Sequence, residues 1–359
     1  RDRFFARDGT REFIARRRLL SGQIIPRSRP SCDDKAAVVK RTDLPSQWIK
    51  KVLDYARKHG LPLPESQAQE GLHFSHAWVV GAKRSSVGSA VLVSDPQTPV
   101  RNPSLWYEFH IKGKSFNARG IGVPGSPFIV IGFTENVAWG VTALGADQAD
   151  LFIVEVDPKE PNGYRFNGIS VPMVLHRERI VVKGGRSVPF TIKETHLGPI
   201  ATAFCFASPN EGEVALKRIP ICETQRETHQ ALLPMLRAQN VEEFDRALRN
   251  WRFPSVNILF GDRAGNIGYR ALAAIPIRSK HDRTFGAAAH LARNVEDDWQ
   301  EILPFDLLPS VRNPASGVLF SGNHRPIESW YPIPLGVLTG AGGDTIRSWR
   351  LRERLSAKE

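Results

Sequence analysis

A β-hairpin is predicted by residues 75–97, which read SHAWVVGAKRSSVGSAVLVSDPQ. Two short apolar strands, 77–82 and 89–94, flank a turn that is rich in Lys, Arg, Ser and Gly, a pattern typical of antiparallel pairing. Because the second strand of a hairpin runs back along the first, Asp95-Pro96-Gln97 is expected to lie beside Ser75.

The rest of the chain has the pattern of an α+β protein in which strands outnumber helices. Further strands are predicted at 106–112, 128–131, 257–260 and 267–273, with several short ones between 151 and 202. Helices are predicted at 46–58, 228–248 and 344–355, and Pro234 should break or kink the second of them.

Composition is that of a globular protein with room for one large domain or two ordinary ones. The chain has 359 residues, 41% of them hydrophobic and 24% charged. No apolar run approaches the length of a membrane helix, so we expect no membrane partner. The three cysteines, Cys32, Cys205 and Cys222, are too scattered for a disulfide framework or a zinc site; a single bridge between Cys205 and Cys222 stays open.

The formal net charge of +12 raises the question of nucleic acid. Part of the excess lies in the first 51 residues, and the rest is spread thinly along the chain. A nucleic-acid binder usually concentrates its charge on one face with aromatic residues between. The pattern therefore favours a solvated basic surface, and no nucleic-acid partner is expected.

Ser75 could be a turn or cap residue before a strand, or it could be a nucleophile. A serine hydroxyl needs a base within hydrogen-bond reach, yet the chain has no Gly-x-Ser-x-Gly and no His-Asp pair at a plausible elbow. An α-amine, with an ordinary pKa of about 7.7–8.0, is a good base at neutral pH. It becomes available only if the peptide bond before Ser75 is broken.

Motifs further along the chain favour the interpretation of Ser75 as a nucleophile. They are Trp139-Gly140-Val141-Thr142-Ala143 and Gly265-Asn266-Ile267-Gly268-Tyr269, with Asn257 and Arg278 on either side of the latter. With Ser75 and Asp95-Pro96-Gln97 in front of them, this order and spacing resembles the β-chain of the penicillin acylase family of N-terminal-nucleophile amidohydrolases.

The resemblance implies an α+β fold, the four-layer αββα sandwich of the N-terminal-nucleophile hydrolases, with parts of the family's full precursor missing. It also implies two regions. Residues 1–74 would be a basic precursor or spacer segment with one short helix, and residues 75–359 would be the hydrolase core, a partial β-chain. In relatives an upstream α-chain segment is a partner of this core; residues 1–74 cannot be matched to it.

Site residues follow from the same resemblance, position by position. Ser75 matches the nucleophile whose own freed amine is the base, and Gln97 and Arg278 match residues that support that amine. The Ala143 backbone N–H and the Asn257 side chain match the oxyanion hole, since both can donate to a developing alkoxide. Positions that match the acyl pocket are Phe128, Ile131 and Val141, which favour an apolar acyl group.

A structural Ca²⁺ is implied at Asp147, the Ala149 carbonyl and Asp150, because carboxylate and carbonyl oxygens suit a hard cation. Without the resemblance, two aspartates in a loop would be read as solvated or capping groups. No organic cofactor is expected.

The implied function is hydrolysis of the amide bond of a small acylated amine, such as a β-lactam or an N-acyl homoserine lactone, in the periplasm. Two positions depart from the family: His76 replaces the usual Asn, and Phe74 replaces a Gly that tolerates the strained backbone of self-cleavage. The alternative is a degenerate or truncated acylase homologue without catalytic activity. Gly322-Asn323 also falls where the family has a similar segment, but the pattern gives it no role.

Overall fold

A computed structural model of the chain describes residues 75–98, 102–202, 212–282, 286, 289–327, 331–335 and 346–356. The predicted helix at 46–58, Phe74 and the whole of the predicted precursor segment lie outside these residues, so the boundary at residue 75 stays a prediction. The described chain divides into two compact units. Unit 1 contains Gln148–Ile219 and Pro276–Ile302; unit 2 contains the described parts of Ser28–Asp147, Pro220–Ile275 and Leu303–Glu359.

Strands dominate both units. In chain order the described strands are β1 Ser75–Val80, β2 Val91–Pro96, β3 Tyr107–Lys112, β4 Asn117–Gly122, β5 Ile131–Thr134, β6 Val137–Ala143, β7 Ala149–Asp157, β8 Glu160–Phe166, β9 Ile169–Pro172, β10 Val174–Ile180, β11 Val188–Thr195, β12 Gly198–Pro199, β13 Glu213–Arg218, β14 Val256–Asp262, β15 Ile267–Leu272, β16 Pro276–Ile277, β17 His290–Leu291, β18 Glu301–Ile302, β19 Ser310–Arg312 and β20 Val318–Ser321. The described α-helices are α1 Ile221–His229, α2 Leu232–Arg237, α3 Val241–Ala247 and α4 Ile346–Ser356.

The predicted hairpin is confirmed in unit 2. Strands β1 and β2 pair antiparallel with Ser75 opposite Pro96, so Asp95-Pro96-Gln97 does lie beside Ser75. Strand β20 pairs with the other edge of β1, from Val80 opposite Val318 to Ala77 opposite Ser321. The result is a three-stranded sheet in the order β2-β1-β20.

The second sheet of unit 2 has seven strands in the order β19-β15-β14-β6-β5-β4-β3. It confirms the strands predicted at 106–112, 257–260 and 267–273. The two sheets approach closely at Gly140, where a Cβ atom would lie 2.5 Å from the Cβ of Ser94 on β2. Any side chain at this position would therefore force the sheets apart, which explains the glycine in the middle of β6.

Helices contact both sheets of unit 2. Phe244 of α3 packs against Trp139 and Phe260, on the seven-stranded sheet, and α4 lies against β20. Helix α4 confirms the helix predicted at the end of the chain. No helix among the described residues is both long enough and apolar enough to cross a membrane.

The single helix predicted at 228–248 is wrong in its extent, because the chain forms α1, α2 and α3 in succession. Pro234 lies in the first turn of α2, where its missing N–H is tolerated. The break falls just before, at residues 230–231, because Pro234 has no N–H to donate to the carbonyl of Gln230.

The strand predicted at 128–131 is also wrong: of these residues only Ile131 belongs to β5. Phe128 and Ile129 are buried, and Phe128 packs its ring against Trp251 and His229. The run is apolar because it fills the core, and a short apolar run does not by itself distinguish that from a strand.

Unit 1 confirms the short strands predicted between 151 and 202. One sheet has the order β13-β7-β8-β9, with β17 parallel to β7, and a second has the order β10-β11-β12. Strands β16 and β18 form a separate pair. The core of this unit consists of Phe152, Val154, Tyr164, Met173, Leu197, Ala215 and Ala292.

Candidate active site

Ser75 begins β1 and is buried, with 8% of its surface exposed. Its backbone N–H donates to Asn323 Oδ1 at 2.9 Å, and Asn323 Nδ2 donates to its hydroxyl oxygen at 3.0 Å. The β1–β20 register explains this contact: continued two residues beyond the pair Ala77–Ser321, it brings Asn323 opposite Ser75. Asn323 has a left-handed backbone with φ +61°, which asparagine tolerates better than most residues.

The Ala143 carbonyl links this pair to the next polar group. It accepts hydrogen bonds from Asn323 Nδ2 at 3.0 Å and from Asn257 Nδ2 at 3.1 Å. The end of β6 thus lies between Ser75 and Asn257, two residues that the resemblance assigns to one site. All four residues belong to unit 2.

Asn257, on β14, is 1% exposed and its amide is held in one orientation. The Tyr269 hydroxyl donates to its Oδ1 at 2.7 Å, and its Nδ2 donates to Thr142 Oγ1 and to the Ala143 carbonyl, each at 3.1 Å. Burial raises the pKa of Tyr269 well above its ordinary value of 10.0, against a smaller opposite effect of Arg270. Tyr269 is therefore a hydroxyl donor at neutral pH. Both amide hydrogens of Asn257 have acceptors, so an oxyanion would have to replace one of them.

The Ala143 N–H points to the edge of β6 that lies away from β14. Leu144 N–H donates to Ser255 O at 3.3 Å, and hydrogen-bonded pairs alternate along antiparallel strands. The N–H of Ala143 therefore points away from β14, towards the side where β5 pairs with β6 only at Ala138 and Trp139. Ala143 is exposed; the role of its N–H in the oxyanion hole stays a prediction.

Gln97 lies one residue beyond Pro96, the cross-strand partner of Ser75. Its side chain is exposed, and its Nε2 is 3.4 Å from His76 Nδ1 and 3.5 Å from Asp95 Oδ2. The backbone thus brings Gln97 near Ser75, while its amide faces His76. Its role at the amine stays a prediction.

Arg278 belongs to unit 1, where it forms a buried ion pair with Asp150. Its Nε and Nη2 donate to the two carboxylate oxygens at 2.9 and 3.1 Å, and Trp299 Nε1 donates to Asp150 Oδ2 at 2.5 Å. Gly286 packs on the pair so closely that a Cβ there would lie 2.3 Å from Asp150 Oδ1. A two-point contact of this kind holds a guanidinium in one orientation.

These partners bear on the expected calcium ion. Both oxygens of Asp150 accept hydrogen bonds from Arg278, and a cation beside a guanidinium is repelled, so Asp150 as placed does not fit a calcium ligand. Asp147 is half-buried in the loop before β7, and Ala149 begins β7. Among the described residues, no three His, Cys, Asp or Glu side chains are grouped as metal ligands would be. Calcium binding stays a prediction.

The residues predicted for the acyl pocket do not join the polar group around Ser75. Thr142 faces the three-stranded sheet, with its Oγ1 2.7 Å from Ser321 Oγ. Neighbouring residues of a strand point to opposite faces, so Val141 points away from that sheet. Phe128 packs on Trp251 and Ile131 is partly buried at the start of β5. The acyl-pocket assignments stay predictions.

Two residues at this site received no role from the sequence. Asn323 lay in a family-like segment with no assigned function, and Arg347 counted only as dispersed surface charge. In the structure Arg347 Nη1 donates to the Ser75 carbonyl and its Nη2 donates to Asn323 Oδ1 at 3.0 Å. No local pattern could have revealed this, because the contacts to Ser75 join residues 248 and 272 positions apart in the chain.

Comparison with known proteins decides the family. The model of the penicillin amidase family matches residues 9–359. The chain belongs to this family. It is similar to acyl-homoserine lactone acylase QuiP of Pseudomonas fluorescens (strain Pf0-1), with 30% identity over 266 residues, and to penicillin G acylase of Escherichia coli, with 27% identity over 280 residues.

These alignments cover 74% and 76% of this chain but only 32% and 31% of the two relatives, so the chain spans about a third of their length. Among solved structures it is similar to a thermostable penicillin G acylase from Alcaligenes faecalis, with a TM-score of 0.66 and 26% identity over 79% of this chain and 49% of that one. The resemblance inferred from the motifs is confirmed, and so is the α+β class of the fold.

Proposed function

We propose that this penicillin amidase family member is the catalytic core of an amidohydrolase that cleaves a small N-acylated substrate through Ser75 as a self-exposed N-terminal nucleophile. The observation that carries the proposal is the polar group around Ser75. It joins both the nitrogen and the hydroxyl of Ser75 to Asn323, and joins Asn323 to Asn257 through the Ala143 carbonyl. This group connects Ser75 to Ala143 and Asn257, the residues that the resemblance assigns to the oxyanion hole.

The reaction begins once the peptide bond before Ser75 has been cut. The Ser75 α-amine takes the hydroxyl proton while Oγ adds to the acyl carbonyl carbon, and the carbonyl oxygen becomes an alkoxide. The Ala143 N–H and the Asn257 amide stabilise that charge, with Asn257 exchanging one of its present acceptors for the alkoxide. The ammonium then protonates the leaving amine as its C–N bond breaks. Water adds to the acyl-serine with the α-amine again as base, which releases the carboxylic acid.

The contacts within unit 2 also support the expected four layers. Helix α4 lies on β20 of the three-stranded sheet, β1 and β2 pack against β6 and β14 of the seven-stranded sheet, and α3 packs on β14 and β15. The layers therefore follow in the order α4, three-stranded sheet, seven-stranded sheet and α3, which is helix, sheet, sheet and helix. We therefore propose the αββα sandwich for this unit.

The substrate class is proposed from the relatives, whose names describe acylases of homoserine lactones and penicillin G. A β-lactam or an N-acyl homoserine lactone is consequently the first substrate to test. Phe128, Ile131 and Val141 are the proposed contacts for the acyl group.

Hydrolysis by the Ser75→Ala variant tests the proposal. The unchanged chain should release free amine from one of these substrates, and Ser75→Ala should abolish the release because it removes the nucleophile. Ser86→Ala, in the exposed turn of the same hairpin, is the matched control and should keep full activity. If the unchanged chain is folded but inactive, the result supports the alternative of a homologue without catalytic activity. If the Ser75→Ala variant is active, the assignment of Ser75 as the nucleophile is wrong.

A further inference from the structure

Asn323 is a buried asparagine whose hydrogen-bond partners determine which way its amide points. Its Oδ1 accepts from two groups that can only donate, the Ser75 N–H at 2.9 Å and Arg347 Nη2 at 3.0 Å. Its Nδ2 donates to the Ala143 carbonyl, which can only accept. A flipped amide would oppose donor to donor and acceptor to acceptor, so a single orientation is possible.

That orientation has a consequence for the nucleophile. Asn323 Nδ2 donates to the Ser75 hydroxyl oxygen at 3.0 Å, and a hydroxyl has only one hydrogen but two acceptor positions. Asn323 Oδ1 lies 3.3 Å from the same hydroxyl oxygen and accepts its hydrogen, so both ends of one amide hold the Ser75 hydroxyl before cleavage. Asn323 Oδ1, meanwhile, holds the Ser75 nitrogen that becomes the α-amine after cleavage.

Arg347 places a positive charge on the same amide oxygen, Asn323 Oδ1, that accepts from this nitrogen. It lies in the first turn of α4 and its guanidinium bridges the Ser75 carbonyl and Asn323 Oδ1. Burial lowers the pKa of Arg347 below its ordinary value. Ser75 is itself buried, and a cation close to a buried amine disfavours the ammonium form.

We infer that Arg347, acting through Asn323 and the Ser75 carbonyl, is a positioning residue that keeps the α-amine of the matured Ser75 neutral and therefore basic. The inference rests on the proposed function, because the amine exists only after cleavage. The resemblance assigned support of the amine to Arg278, which forms an ion pair with Asp150 within unit 1. Arg347 is a guanidinium in hydrogen-bond contact with the Ser75 carbonyl.

Other charges lie on the elements around β1. His76 and Asp95 face each other at 3.4 Å, and Arg350 contacts Glu353 on α4. Other charged or titratable groups that the structure describes on or next to these elements are Lys83, Arg84, Asp262, His324, Arg325, Arg352 and Arg354. Arg350→Met removes the same charge from the same helix at an exposed position, and so controls for a general change in the field.

The first measurement is the pH dependence of kcat/KM for amide hydrolysis. Arg347→Met should move the acid limb upward by roughly one pH unit, because removing a nearby cation raises the pKa of an amine. Arg347→Lys keeps the positive charge, so its acid limb should lie at the same pH as that of the unchanged chain. Arg350→Met should also leave the acid limb at that pH. Equal shifts in Arg347→Met and Arg350→Met, or no shift in either, would overturn the inference.

A second measurement does not need hydrolysis or cleavage. In a Ser75→Cys background, the alkylation rate of Cys at position 75 is followed against pH by peptide mapping, which separates it from the three native cysteines. A nearby guanidinium lowers the pKa of a thiol, so adding Arg347→Met should raise the midpoint and adding Arg350→Met should not. Thermal unfolding of each variant confirms that it is folded. If the unchanged chain neither matures nor hydrolyses amides, the proposed function fails, while this titration still decides whether Arg347 acts on position 75; an unmoved midpoint contradicts the inference.

Discussion

Replacing Asn257 by alanine removes one amide that the structure connects to three partners. Tyr269 loses the acceptor of its hydroxyl, and Thr142 Oγ1 and the Ala143 carbonyl lose a donor. Leaving a buried hydroxyl of this kind without a partner costs about 1–3 kcal/mol of folding free energy. Losing one oxyanion donor costs about 100- to 1,000-fold in the chemical step, or about 2.7–4 kcal/mol of transition-state stabilisation. We therefore expect a less stable protein with a much larger loss of turnover.

The control for this variant is Asn240→Ala. The Asn240 side chain caps α3 by accepting from the backbone N–H groups of Glu242 and Glu243, and removing such a cap costs about 0.5–2 kcal/mol. Asn240→Ala should lower the melting temperature about as much as Asn257→Ala does, and it should leave kcat unchanged. Turnover and thermal unfolding are measured for both variants on the same acylated substrate. If Asn257→Ala keeps near-normal kcat, or if both variants lose activity equally, Asn257 does not stabilise the transition state.

Three further predictions follow from other described residues. Asp150→Ala should destabilise the protein by about 3–5 kcal/mol because it leaves the buried Arg278 guanidinium without this carboxylate, whereas the exposed Asp306→Ala should cost at most about 1 kcal/mol; equal losses in denaturant unfolding would contradict the ion pair. If calcium binds, excess chelator should lower the melting temperature of the unchanged chain, since a ligand bound only to the folded state stabilises it, and Asp147→Ala should remove that sensitivity; an unchanged melting curve would leave an ordinary loop carboxylate. Burial, outweighing an opposite effect of Asp298, lowers the pKa of His196 below its ordinary value of 6.5. Unfolding therefore takes up a proton in the window just below pH 6.5, so the stability from His196 is present above pH 6.5 and is lost as pH falls through that window; His196→Gln should flatten the melting profile there, and an identical slope would refute the assignment.

Local pattern was enough to predict the hairpin and three strands of the seven-stranded sheet, β3, β14 and β15. The alternation and turn residues of 75–97 led to β1 and β2, and hairpin geometry alone brought Asp95-Pro96-Gln97 to Ser75. The same reasoning failed for residues 128–131, since burial made the run apolar without strand pairing. It also joined the end of α1 with α2 and α3 as one helical region, expected to break or kink at Pro234, because helical periodicity continues across short breaks.

The site was predictable only where a motif carried it. Asn257 and Ala143 were found by their spacing within motifs, and the structure brings them together with Ser75. Asn323 and Arg347 were missed because their contacts depend on β20 pairing with β1 and on α4 lying against β20, at separations that local sequence does not encode. Partners of this kind follow from tertiary structure alone.

The central claim is that Ser75 acts through its own free amine. The mass of the active protein, measured under denaturing conditions, tests it most directly, with Ser75→Ala and the exposed Ser86→Ala variant measured alongside. We predict that the hydrolytically active sample contains a chain that starts at Ser75, that Ser86→Ala yields the same chain, and that Ser75→Ala remains uncut and inactive. An active sample in which residue 74 is still joined to Ser75 would contradict the account, because the base it requires would not exist.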